Sequence, residues 1–281
     1  MTDKTPQLDI DNPDHREEYA HGYDSALTLK MHVSRTADKQ AGWFLPYLQP
    51  GMTLLDCGCA TGSITVGLAK VVEPGQVTGV DIAEVEIERA RERAAKAEIT
   101  NILFAVGNIY QLDFPDNNFD AIFSHNVLEH IGEPDRALQE MHRVLKPGGI
   151  IGIRDVDWGG CLQAPKDALI EQSLAIIEAD WEVNGHPRLG RYLGGKLNEV
   201  GFADVVTSAS YETFSDLEGR RLFGQVIASR FTETDFVERI TKRELANLDE
   251  SEAIKEAWLN WQELPDAFHA HAHCEAVGRK A

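Results

Sequence analysis

A doubly wound α/β sheet is the fold class this sequence predicts, and three observations carry it. Five short apolar runs, Thr53–Asp56, Gln76–Asp81, Ile102–Val106, Phe119–Ser124 and Ile150–Asp155, are partly β-branched and bounded by Gly, Pro, Asn or Asp. Helical patterns fall between them at 63–72, 84–97 and 134–145. The first strand runs into a glycine-bearing turn that opens the first of these helices. Nearly continuous apolar strands alternating with helices predict a parallel sheet covered on both faces.

The elements follow in order. Between residues 14 and 48, scattered apolar positions (Ala26, Leu27, Met31, Val33, Trp43, Phe44 among them) fit two or three helices that stop at Pro46 and Pro50. The helix at 84–97 is the clearest, because EVEIERARERAAKAE is rich in strong helix formers and lacks Gly and Pro. Pro134 suits a first helical position, and Lys146-Pro147-Gly148-Gly149 stops that helix sharply. After Asp155 the rhythm breaks. Residues 165–184 and 190–200 read as helices, 203–211 as a strand, 215–263 as wholly helical and 267–278 as a final strand. That makes seven strands. The division expected is a helical cap segment at 1–50, an α/β core at 51–210, a helical cap insertion at 211–265, and a last core strand at 266–281.

Bulk properties exclude several classes. A formal net charge of −19 without a Lys/Arg cluster argues against nucleic acid. No apolar run approaches the roughly 18–20 residues of a membrane span. The polar, acidic start resembles neither a signal nor a transit peptide, so a cytoplasmic protein is expected. Cys57, Cys59, Cys161 and Cys274 form no disulfide framework, and C-x-C at 57–59 is too tight for the usual zinc spacing. They read as small buried hydrophobes.

The turn Leu54-Leu55-Asp56-Cys57-Gly58-Cys59-Ala60-Thr61-Gly62-Ser63 holds the first chemistry. Small residues there let backbone approach a ligand, although a purely structural strand-to-helix turn would also use them. A dinucleotide fingerprint needs a third Gly where Ser63 stands, and a P-loop needs Gly-Lys-Ser/Thr; neither is present. Asp56 ahead of the turn would repel a pyrophosphate, and no Lys or Arg follows before Lys70. A ligand with a cationic end and no phosphate fits better. Asp81 ends the second strand, 23 residues after Gly58, where a carboxylate can accept both hydroxyls of a ribose or simply cap the next helix.

With these residues in place, segment 53–155 resembles the class I S-adenosylmethionine (SAM)-dependent methyltransferases, especially the broad group that includes the quinone-biosynthesis C-methyltransferases. LLDCGCATG is similar to the family's D-x-G-x-G-x-G loop, with Ala60 in place of the middle Gly, and VTGVDIA to its ribose-binding strand end. GNIYQLDFPDNNFDAIFSHNVLEHI is similar to the adenine-binding and fourth-strand block, and RVLKPGGIIGIRD to the block after it. The resemblance implies a mostly parallel seven-stranded sheet with its last strand antiparallel, plus a helical cap. It implies SAM as cofactor and S-adenosylhomocysteine as product. Asp56, Gly58, Ala60, Gly62, Asp81 and His125 would hold that cofactor, with Ile82, Asn108 and Ile109 around its adenine. Tyr23 and Arg35 would close over its methionine end.

Methyl transfer from a sulfonium is an in-line displacement, so alignment and water exclusion matter most, and a base only if the acceptor arrives protonated. His125 and His130 follow the fourth strand and are candidate bases that would titrate near neutrality; His130 equally fits a loop support. Asp155, Trp158 and Trp181 are candidates for the acceptor pocket, and Trp258 and Trp261 fit either that pocket or the core. His269, His271 and His273 alternate on one strand face; without a nearby carboxylate in sequence they read as structural, and no metal is expected. The expected partner is a small-molecule substrate, with neither nucleic acid nor membrane, and a homodimer is left open. The competing readings are an NAD-dependent oxidoreductase and a SAM-fold binding protein without methyl transfer.

Overall fold

The computed structural model describes residues 26–281, and Tyr23 lies outside them. The parallel strands are β1 (Leu54–Cys57), β2 (Val77–Asp81), β3 (Ile102–Val106), β4 (Phe119–His125) and β5 (Leu145–Val156). Helices α3 (Thr65–Val72), α4 (Glu84–Lys96) and α5 (Pro134–Val144) connect them, after α1 (Ala26–Ser34) and α2 (Ala37–Gln40). Then come β6 (Leu162–Ala164), α6 (Ala168–Trp181), α7 (Leu193–Val200), β7 (Phe202–Phe214), α8 (Leu217–Arg230), α9 (Thr234–Lys242), α10 (Leu248–Trp261) and β8 (Phe268–Lys280).

The expected α/β sheet is present. Strands β3-β2-β1-β4-β5 pair in parallel, and β8 pairs antiparallel with β5, β6 and β7. Because β7 runs along one edge of β8 from Phe214↔His269 to Phe202↔Lys280, β5 and β6 share the other edge. The three-residue β6 is an eighth strand beyond the seven expected. Leu145 pairs with Phe119 and the next partner of β5 is Ile150, on Ala121, so residues 146–149 bulge from the ladder.

Three apolar clusters hold the layers. Leu68, Val72, Ile87 and Ala90 of α3 and α4 cover one sheet face together with Ala37, Ala41, Phe44 and Leu48. On α5, Ala137, Leu138, Met141 and Val144 recur at helical spacing and cover the other face with Leu193 and Leu197 of α7. The third cluster is the cap: Phe223 and Ile227 of α8, Ile240 of α9, Ile254, Trp258 and Trp261 of α10, and Ile170, Ile176 and Ile177 of α6. The packing thus divides the chain differently from its sequence order. Helix α6, placed with the core, joins the cap, while 37–48, placed with the cap, packs on the sheet. Among the described residues before β1, α1 reaches the cap, through Met31 and a Lys30–Glu218 ion pair at 3.7 Å. No described helix is long and apolar enough to cross a membrane.

Candidate active site

The carboxyl ends of β1, β2, β4 and the loop after β3 open into one cleft of about 950 Å³, its mouth included. A cleft at the point where strand order reverses between β1 and β4 is where open α/β sheets take ligands. Gly58 and Ala60 form its floor, and Asp81 and Ile82 one side. Asn108, Ile109 and Tyr110 form the opposite rim, and His125, Asn126 and His130 the back wall, which His32 of α1 and Arg35 just past its end complete.

Each wall has a local cause. Gly58 has φ +76°, and a Cβ there would stand 2.2 Å from Val127 Cγ2, so only glycine fits. Its amide and that of Cys59 donate to Val80 O, binding the turn to β2. Ala60 also has a positive φ, +43°, which explains why a glycine suits this place. The Asp81 carboxylate accepts from Ala60 N at 2.9 Å through Oδ2 and from Ala83 N at 3.0 Å through Oδ1. Burial pushes its acidity down against the pull of these amides. Ile82, 51% exposed, presents an apolar face to the cleft. Asn108 Oδ1 accepts from Tyr110 N at 2.8 Å and so shapes the 108–111 turn.

Several expected site residues stand behind the cleft. Asp56 is fully buried and accepts from the Thr65 hydroxyl at 2.6 Å, tying β1 to α3; burial pushes its pKa up to about 7. Gly62 faces Phe104 and Ala90 in the core. Asp155 Oδ1 accepts from Val127 N at 2.9 Å, and Glu129 Oε2 from Val156 N at 2.9 Å, so two adjacent buried carboxyls hold the loop after β4. Burial and the Asp155 neighbour hold Glu129 well above the usual carboxyl range. Trp181 stacks on His130 with ring centroids 4.7 Å apart and donates to Glu129 O at 3.2 Å. Trp158 donates to Leu174 O at 3.0 Å, and Trp258 and Trp261 are cap core. Neither Asp155, Trp158 nor Trp181 lines the cleft.

The two histidines do not titrate near neutrality, contrary to the sequence expectation. Burial, then the charge of Arg35, drives His125 well below its usual range. Burial, then Arg230 and Arg35, takes His130 to about 3. Both are neutral at physiological pH. His125 nonetheless lines the cleft with neither ring nitrogen hydrogen-bonded among the described residues, and the same holds for Asn126 Oδ1. No hydrogen bond or ion pair from a described residue reaches the Arg35 guanidinium. His32, held to about 3 by burial and Arg35, and Tyr110 were not foreseen. The spacing of His32, in the last turn of α1, and Arg35, just past its end, was the available signal.

These features fit a SAM-type ligand: a carboxylate at the β2 tip, unsatisfied acceptors at the back and an apolar rim. Residues 48–200 match the family model described as a methyltransferase domain. The chain belongs to the class I SAM-dependent methyltransferases. This methyltransferase is 32% identical to an uncharacterized methyltransferase of Schizosaccharomyces pombe over 87% of this chain and 90% of that one. Its fold matches that of the YcgJ protein of Bacillus subtilis (TM-score 0.59, 18% identity, covering 86% and 99% of the two chains). It also matches the fold of the [4+2]-cyclase SpnF (TM-score 0.52, 22% identity, covering 90% and 81%). Membership of the methyltransferases decides against the nicotinamide reading.

Proposed function

We propose that this methyltransferase transfers a methyl group from SAM to a small organic acceptor held against the back wall of the cleft. The carrying observation is that wall itself: Arg35, His125 and Asn126 present polar atoms with no hydrogen-bonding partner among the described residues, beside the cofactor loop. SAM, when bound, supplies an electrophilic methyl on a sulfonium. Asp81 accepts from a ribose, Ile82 and Ile109 flank an adenine, and Asn108 sits at its edge. Asn126 Oδ1 accepts from an ammonium, and Arg35 pairs with a carboxylate at the methionine end. His125 stays neutral, the state a proton acceptor needs, but burial and Arg35 keep it weakly basic. It therefore orients an acceptor hydroxyl or amine, or takes a proton only from an acidic one.

The cap supports the small-acceptor reading. Helices α8–α10 pack as one cluster, and α1, which carries His32 of the cleft, packs on α8, so a closing movement of this cap would exclude water from the reacting centre. The test is incubation with methyl-labelled SAM and a cell extract split at about 1 kDa, since drug-sized ligands fall below that mass. Label should enter the low-mass fraction and depend on active protein. Label found only in macromolecules, or in neither fraction, overturns the proposal.

A further inference from the structure

We propose that Cys161, His269 and His271 bind a zinc ion where β6 and β8 meet beneath the cap. Each of the three can place a ligand atom within 4.8 Å of the other two. The strand register explains the grouping. Gln163 lies opposite His269 and Leu162 opposite Ala270, so the next antiparallel step sets Cys161 beside His271. Side chains alternate along a strand, which puts Cys161, Gln163, His269 and His271 on one face. Ligands around a tetrahedral zinc stand about 3.3–3.8 Å apart, so closure asks for side-chain movements of about 1 Å.

Hydrogen bonding singles out the ligating atoms. His269 Nδ1 lies 2.6 Å from Gln163 Oε1, which makes it the N–H donor and leaves Nε2 as the lone pair. Nε2 of His269 and of His271 are buried with no hydrogen-bond partner among the described residues, and His269 is wholly inaccessible. Two buried acceptors without partners call for a cation or a donor at one point. The Cys161 thiol is in no disulfide and stands 3.9 Å from Asp157 O. A two-nitrogen, one-sulfur donor set selects zinc over calcium or magnesium. Glu212, opposite His271 on β7, adds negative charge nearby. Sequence spacing gave no sign of this grouping, because Cys161 lies 108 residues before His269.

None of the three lines the cofactor cleft. Phe223 of α8 stacks on His269 with ring centroids 4.1 Å apart, and Trp158 stands 5.3 Å from His271. A bound ion therefore ties β6 to β8 under the cap rather than joining methyl transfer. The experiment strips the full-length protein with a chelator and dialyses it against micromolar Zn²⁺, then against Co²⁺ as a spectroscopic probe. One equivalent per chain is expected, with a thiolate-to-cobalt absorption band and a raised Tm on zinc addition. Cys161→Ser should abolish that band, and His271→Gln should weaken zinc binding by about 100-fold or more, both remaining folded by circular dichroism. Failure of the wild type to take up zinc, or a folded Cys161→Ser that keeps the thiolate band, overturns the proposal.

Discussion

Asp81 grips the loop after β1 directly, its Oδ2 accepting the Ala60 amide at 2.9 Å across two parallel strands. The carboxylate thus shapes the loop and also faces the cleft. Asp81→Ala is expected to weaken S-adenosylhomocysteine binding by about 1–3 kcal/mol through lost hydrogen bonds. It should also lower stability, because Ala60 N and Ala83 N lose their acceptor. Calorimetry on folded mutant protein checks the first part; unchanged affinity would remove Asp81 from the ribose role.

Ala60, with φ +43°, holds a conformation that costs an L-residue about 1–2 kcal/mol. Ala60→Gly removes that strain but raises the entropy of the unfolded chain. A net gain of about 0.5–1 kcal/mol is expected in urea unfolding. A lower midpoint with unchanged slope would show that the methyl group packs usefully.

Gly58 is confined by protein rather than by ligand, since its added Cβ meets Val127 at 2.2 Å. Gly58→Val should cost about 2–4 kcal/mol from overpacking and positive φ together. Val127→Ala in the same chain should restore part of that loss, which a double-mutant cycle measures. If the single mutant lost binding at full stability, the obstruction would lie in the ligand space instead.

His130 provides a pH prediction. Its pKa is about 3 in the folded protein and 6.5 as a free group, so below pH 6.5 the unfolded chain takes up a proton that the folded one refuses. Stability from this site is therefore lost as pH falls, by about 2 kcal/mol at pH 5. Removing the histidine with His130→Gln removes that slope. Relative to wild type, the variant should gain about 2 kcal/mol between pH 7.5 and 5. Parallel stability curves would contradict the assignment.

Lid closure makes its own prediction for hydrogen exchange. Adding S-adenosylhomocysteine should slow exchange in α1 and across 217–261 at any protein concentration. Protection that follows dilution and ignores ligand would make the cap a dimerisation arm.

Signals confined to neighbouring residues were legible in the sequence. The strand–helix rhythm, the turn at 58–62 and the acid at 81 each depend on local conformation, and the cleft contains Gly58, Ala60, Asp81, Ile82, Asn108, Ile109 and His125 together. Other features depended on partners far along the chain. Strand β6 has three residues between Gly159-Gly160 and Pro165, too short for any periodicity. Asp56 was read as facing a ligand because its Thr65 partner is defined only once β1 and α3 pack. The basicity of His125 was misjudged for the same reason: burial and the approach of Arg35 are products of tertiary structure. Helix α6 gives no local sign that Ser173 will receive the Trp258 indole N–H.

The position of β8 also constrains how the molecule assembles. Strand β7 meets the sheet only through β8, its partner from Phe202↔Lys280 to Phe214↔His269, so it has no docking edge until a segment more than fifty residues later arrives. Closing that loop requires α8–α10 to be spanned first, an entropic cost that precedes any strand-pairing gain. The half from β1 to β5 closes shorter spans, at most the 67 residues from Leu54 to Ala121, against 129 from Ile150 of β5 to Arg279 of β8. The slow event in refolding should then be insertion of β8, and before it both β5 and β7 present open edges to which another chain can add.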